Sequence, residues 1–369
     1  MKFTCSKPNL LGGVQIVSRA VPSKTTLTIM ECILIEAGSD YIKMTANDND
    51  LGIETVIEAQ VEQEGVVALD AKIFLDIVRK LPDNDVTIET DDKYMAHITC
   101  ENSKFNIVGK QGEDFTYLPV VDKSDSCMIS QYTMKEIIRQ TIFSINENDN
   151  NKQMGGECFE IKEDELRVVA LDGHRIAIRN VNLKNKYSGK KVIIPGKTLN
   201  EISKILPGDT DKDVTIYFMD NHVAFEFDTT LMVSRLIEGS YFPIDQMLSS
   251  DYETKVHIHK QSFLNCIDRA TLLVKEGDKK PVIMNITDES LQLKINSTIG
   301  SMNESIAINK TGKDILIGFN PKFLIDALRV IEDEEIDIYL VNSKSPCYIK
   351  DSDGKYIYMI LPVNFTTVS

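Results

Sequence analysis

Residues 194–206 read IPGKTLNEISKIL, and this stretch decides how the rest of the chain is understood. It predicts a strand end, a turn and a short helix. Leu199, Ile202 and Leu206 form an apolar stripe at helical spacing, while Lys197 and Lys204 stand seven residues apart on another face. The same pattern lies 125 residues upstream as DAKIFLDIVRKLP, with Lys72 and Arg79 in the matching places. It returns 125 residues downstream as NPKFLIDALRVIE, with Lys322 and Arg329. One pattern recurring at one period is the mark of a repeated unit, and it divides the chain into thirds at 1–125, 126–250 and 251–369.

Each third opens on a strand-like run followed by a helix: MKFTC and KPNLLGGVQIVSRA, SCMIS and YTMKEIIRQTIFSI, TKVHIHK and QSFLNCIDRATLLV. Leu10, Met134 and Phe263 hold the corresponding apolar position. Ser6, followed by Pro8, and Ser130 are expected helix caps. Gly12 and Gly13 are expected to weaken the first helix by about 1 kcal/mol each. Alternating runs come next, such as ILIEAGSDYIKMTANDNDLGIETVIEA and ECFEIKEDELRVVALDGHRIAIRNV, with acidic or glycine turns expected between the strands. A second helix, an acidic turn and more strands complete each unit. The expected fold is therefore α+β, three repeated domains with mostly antiparallel sheets.

No apolar run reaches the roughly 18 residues that cross a bilayer, and the first residues, MKFTCSKPNL, have no signal-peptide character. No membrane partner is expected. The seven cysteines are scattered, with no CxxC pair, which favours reduced thiols in a cytoplasm over disulfides or zinc. Net charge is −15, which by itself argues against a nucleic-acid partner. The distribution argues otherwise. Six predicted helices (7–20, 70–80, 131–145, 196–206, 259–274, 320–331) carry 13 Lys or Arg against 6 Asp or Glu. The remainder carries 28 against 50. Basic helices on an acidic body suggest an arc with a basic inner face. A second copy placed head to tail would close it into a ring able to hold a duplex by topology and by weak phosphate contacts.

The motifs MKFT at 1–4, DGHR at 172–175, FP at 242–243, GFN at 318–320 and MILPV at 359–363, in this order, resemble the bacterial DNA polymerase sliding clamp, the beta subunit of the replicative polymerase. The resemblance covers essentially the whole chain. It implies a homodimeric ring with helices inside and sheets outside, around double-stranded DNA without sequence specificity. It further implies opening by a clamp-loader ATPase, tethering of polymerases and repair proteins through short peptides, no cofactor and no catalysis.

The resemblance also assigns residues. Lys24 in PSKTTL, Lys72, Lys197 and Lys204 would meet DNA, as would Asn148, Lys152 and Gln153 in the loop NENDNNKQMGG. A partner peptide with glutamine and apolar residues would dock among Met154, Leu171, Gly173, His174, Arg175 and Ile176. The same pocket would take in Pro243, Met247, Leu248, Asn320 and Phe323, and Pro346, Met359, Leu361, Pro362 and Val363. His174, Arg175 and Asn320 would be its polar anchors. Met247 stands where many members carry arginine, and Asp278 where some carry an aromatic. Phe105 and Ile107 would pair with a partner subunit, facing Leu272 and Leu273.

Other readings remain open on the residues alone. A repeat scaffold could bind only proteins, through Met247, Phe323 and Leu361. Asp172, His174 and His257 could serve a metal-dependent hydrolase, with His257 and His259 on one strand face. Neither a complete phosphate loop nor a dinucleotide fingerprint occurs, and GKTLNE lacks the upstream glycine.

Overall fold

The computed structural model describes residues 1–274 and 280–365. Asp278 lies outside them. Among the described residues the α-helices are α1 (Lys7–Val17), α2 (Ala71–Lys80), α3 (Gln131–Thr141), α4 (Gly196–Ile205), α5 (Ile244–Met247), α6 (Lys260–Thr271) and α7 (Pro321–Val330). The strand pairings among the described residues are antiparallel. Two compact units emerge, residues 1–134 with 197–236 and residues 135–196 with 237–369, so the central third contributes to both.

In the first unit, five strands run in the order Gln60–Gln63, Lys2–Ser6, Asp85–Thr90, Met95–Cys100, Ser103–Val108. Eight others run Ser126–Ser130, Asp213–Phe218, His222–Phe227, Thr230–Arg235, Leu51–Glu58, Tyr41–Asn47, Cys32–Ala37, Gly65–Asp70. In the second unit, seven strands run Gly156–Leu171, Arg175–Pro195, Tyr356–Ile360, Cys347–Lys350, Glu335–Leu340, Thr254–His259, Asn309–Gly312. The last sheet orders Gly300–Ala307, Ser290–Ser297, Val282–Ile286, Ile315–Phe319.

Local chemistry explains the helix starts. Ser6 Oγ accepts from Asn9 N at 3.4 Å, and Ser130 Oγ accepts from Thr133 N at 3.1 Å, so both expected caps form. Leu10, Met134 and Phe263 are fully buried. Leu199 and Ile202 of α4 are buried too, while Lys197 and Lys204 stay exposed.

The helix α1 runs through both glycines. A Cβ on Gly13 would stand 2.1 Å from Met44 Cε and 3.2 Å from Ile57 Cγ2, so Met44 would have to move to admit a side chain there. Gly12 has nothing within 4 Å. One expectation needs correction: the acidic KEDE segment does not turn the chain. Gly156–Leu171 is one strand of 16 residues, with register shifts between Ile161 and Glu165.

Glu157 on that strand is fully buried, with the polar side chain of Thr141 as its neighbour. Burial pushes its carboxyl up to about 8, so it is carried neutral at pH 7.

The two glycines should respond in opposite directions to substitution. Gly13→Val should cost about 1–3 kcal/mol in urea unfolding through overpacking, whereas Gly12→Ala should gain about 0.5–1 kcal/mol from helix propensity. Equal responses would refute the close-approach account.

Candidate functional site

The apolar residues singled out in the second unit converge. Leu171, Ile176 and Met359 belong to one buried cluster with Cys158, Val169, Ile178, Ile193, Tyr241, Ile244 and Tyr348. Met154, Leu248 and Leu361 pack on its margin, half-exposed. The sheet register accounts for this. Ile176 pairs with Met359, and Met359 with Tyr348, which places the three side chains on one face. Leu361 N donates to His174 O at 2.9 Å, and Val363 N to Gly318 O at 2.8 Å, which seats the MILPV segment beside the DGHR turn. Tyr348 Oη accepts from Ser249 N at 3.1 Å, tying the segment after α5 to the same face.

The turn itself follows from its sequence. Asp172 Oδ1 accepts from His174 N and Arg175 N, at 3.0 and 3.1 Å, and Gly173 takes the left-handed φ of 83° that the bend requires. His174 is exposed above, its ring 6.0 Å from that of Phe323. Pro243 and Met247 are exposed, and Pro362 and Val363 are half-buried. Pro346 is half-buried ahead of strand Cys347–Lys350. Asn320 caps α7, its Oδ1 accepting from Lys322 N at 3.0 Å.

Arg175 differs from its expected role as an open anchor. Its guanidinium is buried and committed to Asp172 at 3.0 Å, Asp326 at 2.7 Å and the carbonyl of Phe143. It also stacks 4.5 Å from the Phe323 ring centroid. It is a strut that joins the turn to α7, and leaves His174 as the exposed polar group.

The basic residues keep their helix positions with a refinement. Lys24 and Lys72 are exposed. Lys197 pairs with Asp48, Lys204 with Glu201 at 2.7 Å, and Arg19 with Glu201 at 3.0 Å. Burial alone would raise the Glu201 carboxyl, but the bonds from Lys204 and Arg19 hold it below its ordinary value. In the 146–156 loop, Asn148 and Lys152 are exposed, and side chains of Asn146, Asp149 and Asn151 accept from backbone amides two residues on. Gln153 is bound inward, its Nε2 donating to Glu238 O at 3.0 Å.

Phe105 and Ile107 lie on the outermost strand of the five-stranded sheet, with Phe105 exposed. Val108, unmarked by the sequence reading, is 73% exposed on the same strand. Leu272 is 77% exposed, while Leu273 packs against the core. Tyr241 and Tyr348 of the same cluster were also missed. Alternation along strand Cys347–Lys350 was the available signal for Tyr348, whereas Tyr241 lies in the segment ahead of α5, where no such pattern marks it.

The hydrolase reading loses its parts. Asp172 is spent on the turn and on Arg175, and His257 Nδ1 contacts Asp337 at 2.8 Å. His259 caps α6 through Ser262 N. Among the described residues no group of three or more His, Cys, Asp or Glu is placed to hold a metal. Burial pushes Cys5, Cys127 and Cys347 up to about 12, which removes them as thiolate nucleophiles. Among the described residues no helix is long and apolar enough to cross a membrane.

An antiparallel repeat protein with exposed lysines on its helices, an apolar cluster beside a surface turn and no assembled catalytic group among the described residues belongs to the class of binding modules. Three family models match in succession: the N-terminal, central and C-terminal domains of the DNA polymerase III beta subunit, at residues 1–119, 128–243 and 245–364. The Staphylococcus epidermidis beta sliding clamp is 32% identical, over 98% of this chain and 99% of its own. A solved structure described as a DNA polymerase III beta subunit from Eubacterium rectale is 65% identical, with TM-score 0.96 over 99% of this chain and 100% of that one. The Bacillus subtilis DNA polymerase sliding clamp is 33% identical, also with TM-score 0.96, over the same shares. The chain belongs to the DNA polymerase III beta subunit family.

Replacing the strut tests the site's construction. Arg175→Ala leaves two carboxylates facing each other without their cation and should cost about 3–5 kcal/mol in denaturant unfolding. A loss below about 1 kcal/mol would mean that the guanidinium is not structural.

Proposed function

We infer that this chain is a DNA sliding clamp, a processivity factor that performs no chemistry of its own. The family match over all three successive regions carries this reading. In it, a homodimeric ring encircles double-stranded DNA without reading its sequence. A clamp-loader ATPase opens the ring, and polymerases and repair proteins dock through short peptides. The seven free, buried cysteines suit a cytoplasmic location.

Lys24, Lys72, Lys197, Lys204, Asn148 and Lys152 are the proposed DNA contacts, with Gln153 holding the loop. Lys197 and Lys204 support this, because their side chains are 56% and 50% exposed although paired with the largely buried Asp48 and Glu201, so a phosphate can reach them from solvent. The partner groove is the cluster around Leu171, Ile176 and Met359. Met154, Leu248, Leu361, Pro362 and Val363 form its margins, and Gly173, Pro243, Met247, Asn320, Phe323 and Pro346 its surroundings. Its flexible methionines suit varied apolar side chains. The three proposed domains are 1–125, 126–250 and 251–369.

Subunit closure is proposed at strand Ser103–Val108. It carries Phe105 and Val108 outward from a sheet edge, and Gly300–Ala307 is another such edge. Unpaired strand edges invite addition of a second chain, and Phe105 and Ile107 would then meet Leu272 and Leu273 of that copy.

Loaded on nicked circular DNA, the protein should be retained at moderate salt and released when the circle is cut. Retention after cutting would overturn the ring. Lys72→Glu with Lys197→Glu should lower loading severalfold and flatten its salt dependence by about one unit of slope per lost contact, with peptide binding intact. In native mass measurements the chains of 41.6 kDa should appear as dimers. Phe105→Glu with Val108→Glu should convert them to monomers, and an unaffected dimer would place the interface elsewhere.

A further inference from the structure

The apolar cluster beside the DGHR turn is covered. Leu171, Ile176 and Met359 are 1%, 2% and 4% exposed, and Met154, Phe242, Leu248 and Leu361 pack against the cluster from its margin. An apolar peptide side chain reaches that floor only by displacing one of the four. Three are tied into the body of the second unit. Leu361 N donates to His174 O at 2.9 Å, Ser249 N beside Leu248 donates to Tyr348 Oη at 3.1 Å, and the Phe242 ring stands edge-on to Tyr241 at 5.4 Å.

Met154 is held differently. It sits in the short 3₁₀ turn Lys152–Gly155, within a loop that satisfies its own polar groups. Asn146 N donates to Met154 O at 2.7 Å, and Met154 N to Asn151 O at 3.0 Å. The side chains of Asn146, Asp149 and Asn151 take up further amides of the loop. Between Asn146 and Gly155, one hydrogen bond among the described residues leaves the loop, from Gln153 Nε2 to Glu238 O at 3.0 Å. Gly239 makes room for that amide, since a Cβ there would stand 2.5 Å from Gln153 Nε2. A loop bonded mainly to itself shifts as a body, and its displacement gives up that single bond. The same body carries Asn148 and Lys152, both exposed.

We propose that residues 146–155 form a strap across the peptide groove that is drawn back when Asn148 and Lys152 engage a DNA phosphate, so that a bound duplex makes the groove easier to enter. This rests on the reading of those two residues as DNA contacts and of the Leu171–Ile176–Met359 face as the peptide groove. Met154 is the tip of the strap, and the Gln153–Glu238 bond sets its resting position. Apolar peptides are thereby recruited to the DNA-bound protein in preference to the free one. The coupling is reciprocal, so the factor that duplex adds to peptide affinity is the factor that peptide adds to duplex affinity.

The test titrates the full-length protein calorimetrically, at low salt, with a short linear duplex and a synthetic peptide of glutamine and leucine residues. With duplex at saturation the peptide should bind about fivefold more tightly, and with peptide at saturation the duplex should gain the same factor. Gln153→Ala unties the strap, which then yields to the peptide unaided, and should reduce both gains below about twofold. In methyl NMR spectra of the methionine-labelled protein, the Met154 signal, assigned by its loss in Met154→Leu, should shift when duplex alone is added. Two bound ligands without mutual effect, an unmoved Met154 signal, or gains that Gln153→Ala leaves intact would each overturn the strap while groove and DNA contacts stand. Failure of either ligand to bind would overturn the underlying reading of groove or DNA contact, and the strap with it.

Discussion

An antiparallel sheet must end on strands whose outer amides and carbonyls face no neighbour, and the disposal of these edges governs this protein. Within each unit the larger sheet continues across a repeat boundary. Thr230–Arg235 pairs with Leu51–Glu58 in one unit, and Tyr356–Ile360 pairs with Arg175–Pro195 in the other. Each junction satisfies two edges at once and brings the end of one repeat against an Asp-led turn of the preceding one. The apolar cluster around Ile176 and Met359 is assembled by that pairing. Strands Ser103–Val108 and Gly300–Ala307 are among those at which the sheets end, and Phe105 and Val108 expose apolar side chains on the first.

The charge arrangement answers how an acidic chain can suit a polyanion. Lysines at the helix starts and ends are exposed, and several sit in ion pairs with carboxylates of the same unit. The carboxylates of Asp48 and Glu201 are mostly buried while the lysine side chains stay half or more exposed, so the pairs fix where the positive charge sits. The buried Arg175 behaves oppositely. With Asp172, Asp326 and two aromatic rings around it, it is fixed, and it sets the position of His174 beside the apolar cluster.

Much of the fold was legible without coordinates, because its signals are local. The 125-residue period, the caps at Ser6 and Ser130, the buried Leu10, Met134 and Phe263, and the basic positions Lys72, Lys197 and Lys204 are set by spacing and side-chain type. The convergence of Leu171, Ile176 and Met359 in one apolar cluster was legible for the same reason. Asp-Gly marks the turn, and the terminal MILPV alternates onto one face.

What escaped depends on residues far apart in the chain. The packing of Met44 and Ile57 against Gly13 is invisible at the level of helix propensity. Arg175 looked like an anchor because Asp326 lies 151 positions away, and Gln153 looked free because Glu238 lies 85 away. The likeness of the two junctions appears once strands are paired in register. The sequence by itself determined the repeated units and where their charge sits, since both follow from local periodicity. Only the tertiary structure decided which polar groups are already satisfied, because burial and hydrogen bonding are completed by partners that packing alone supplies.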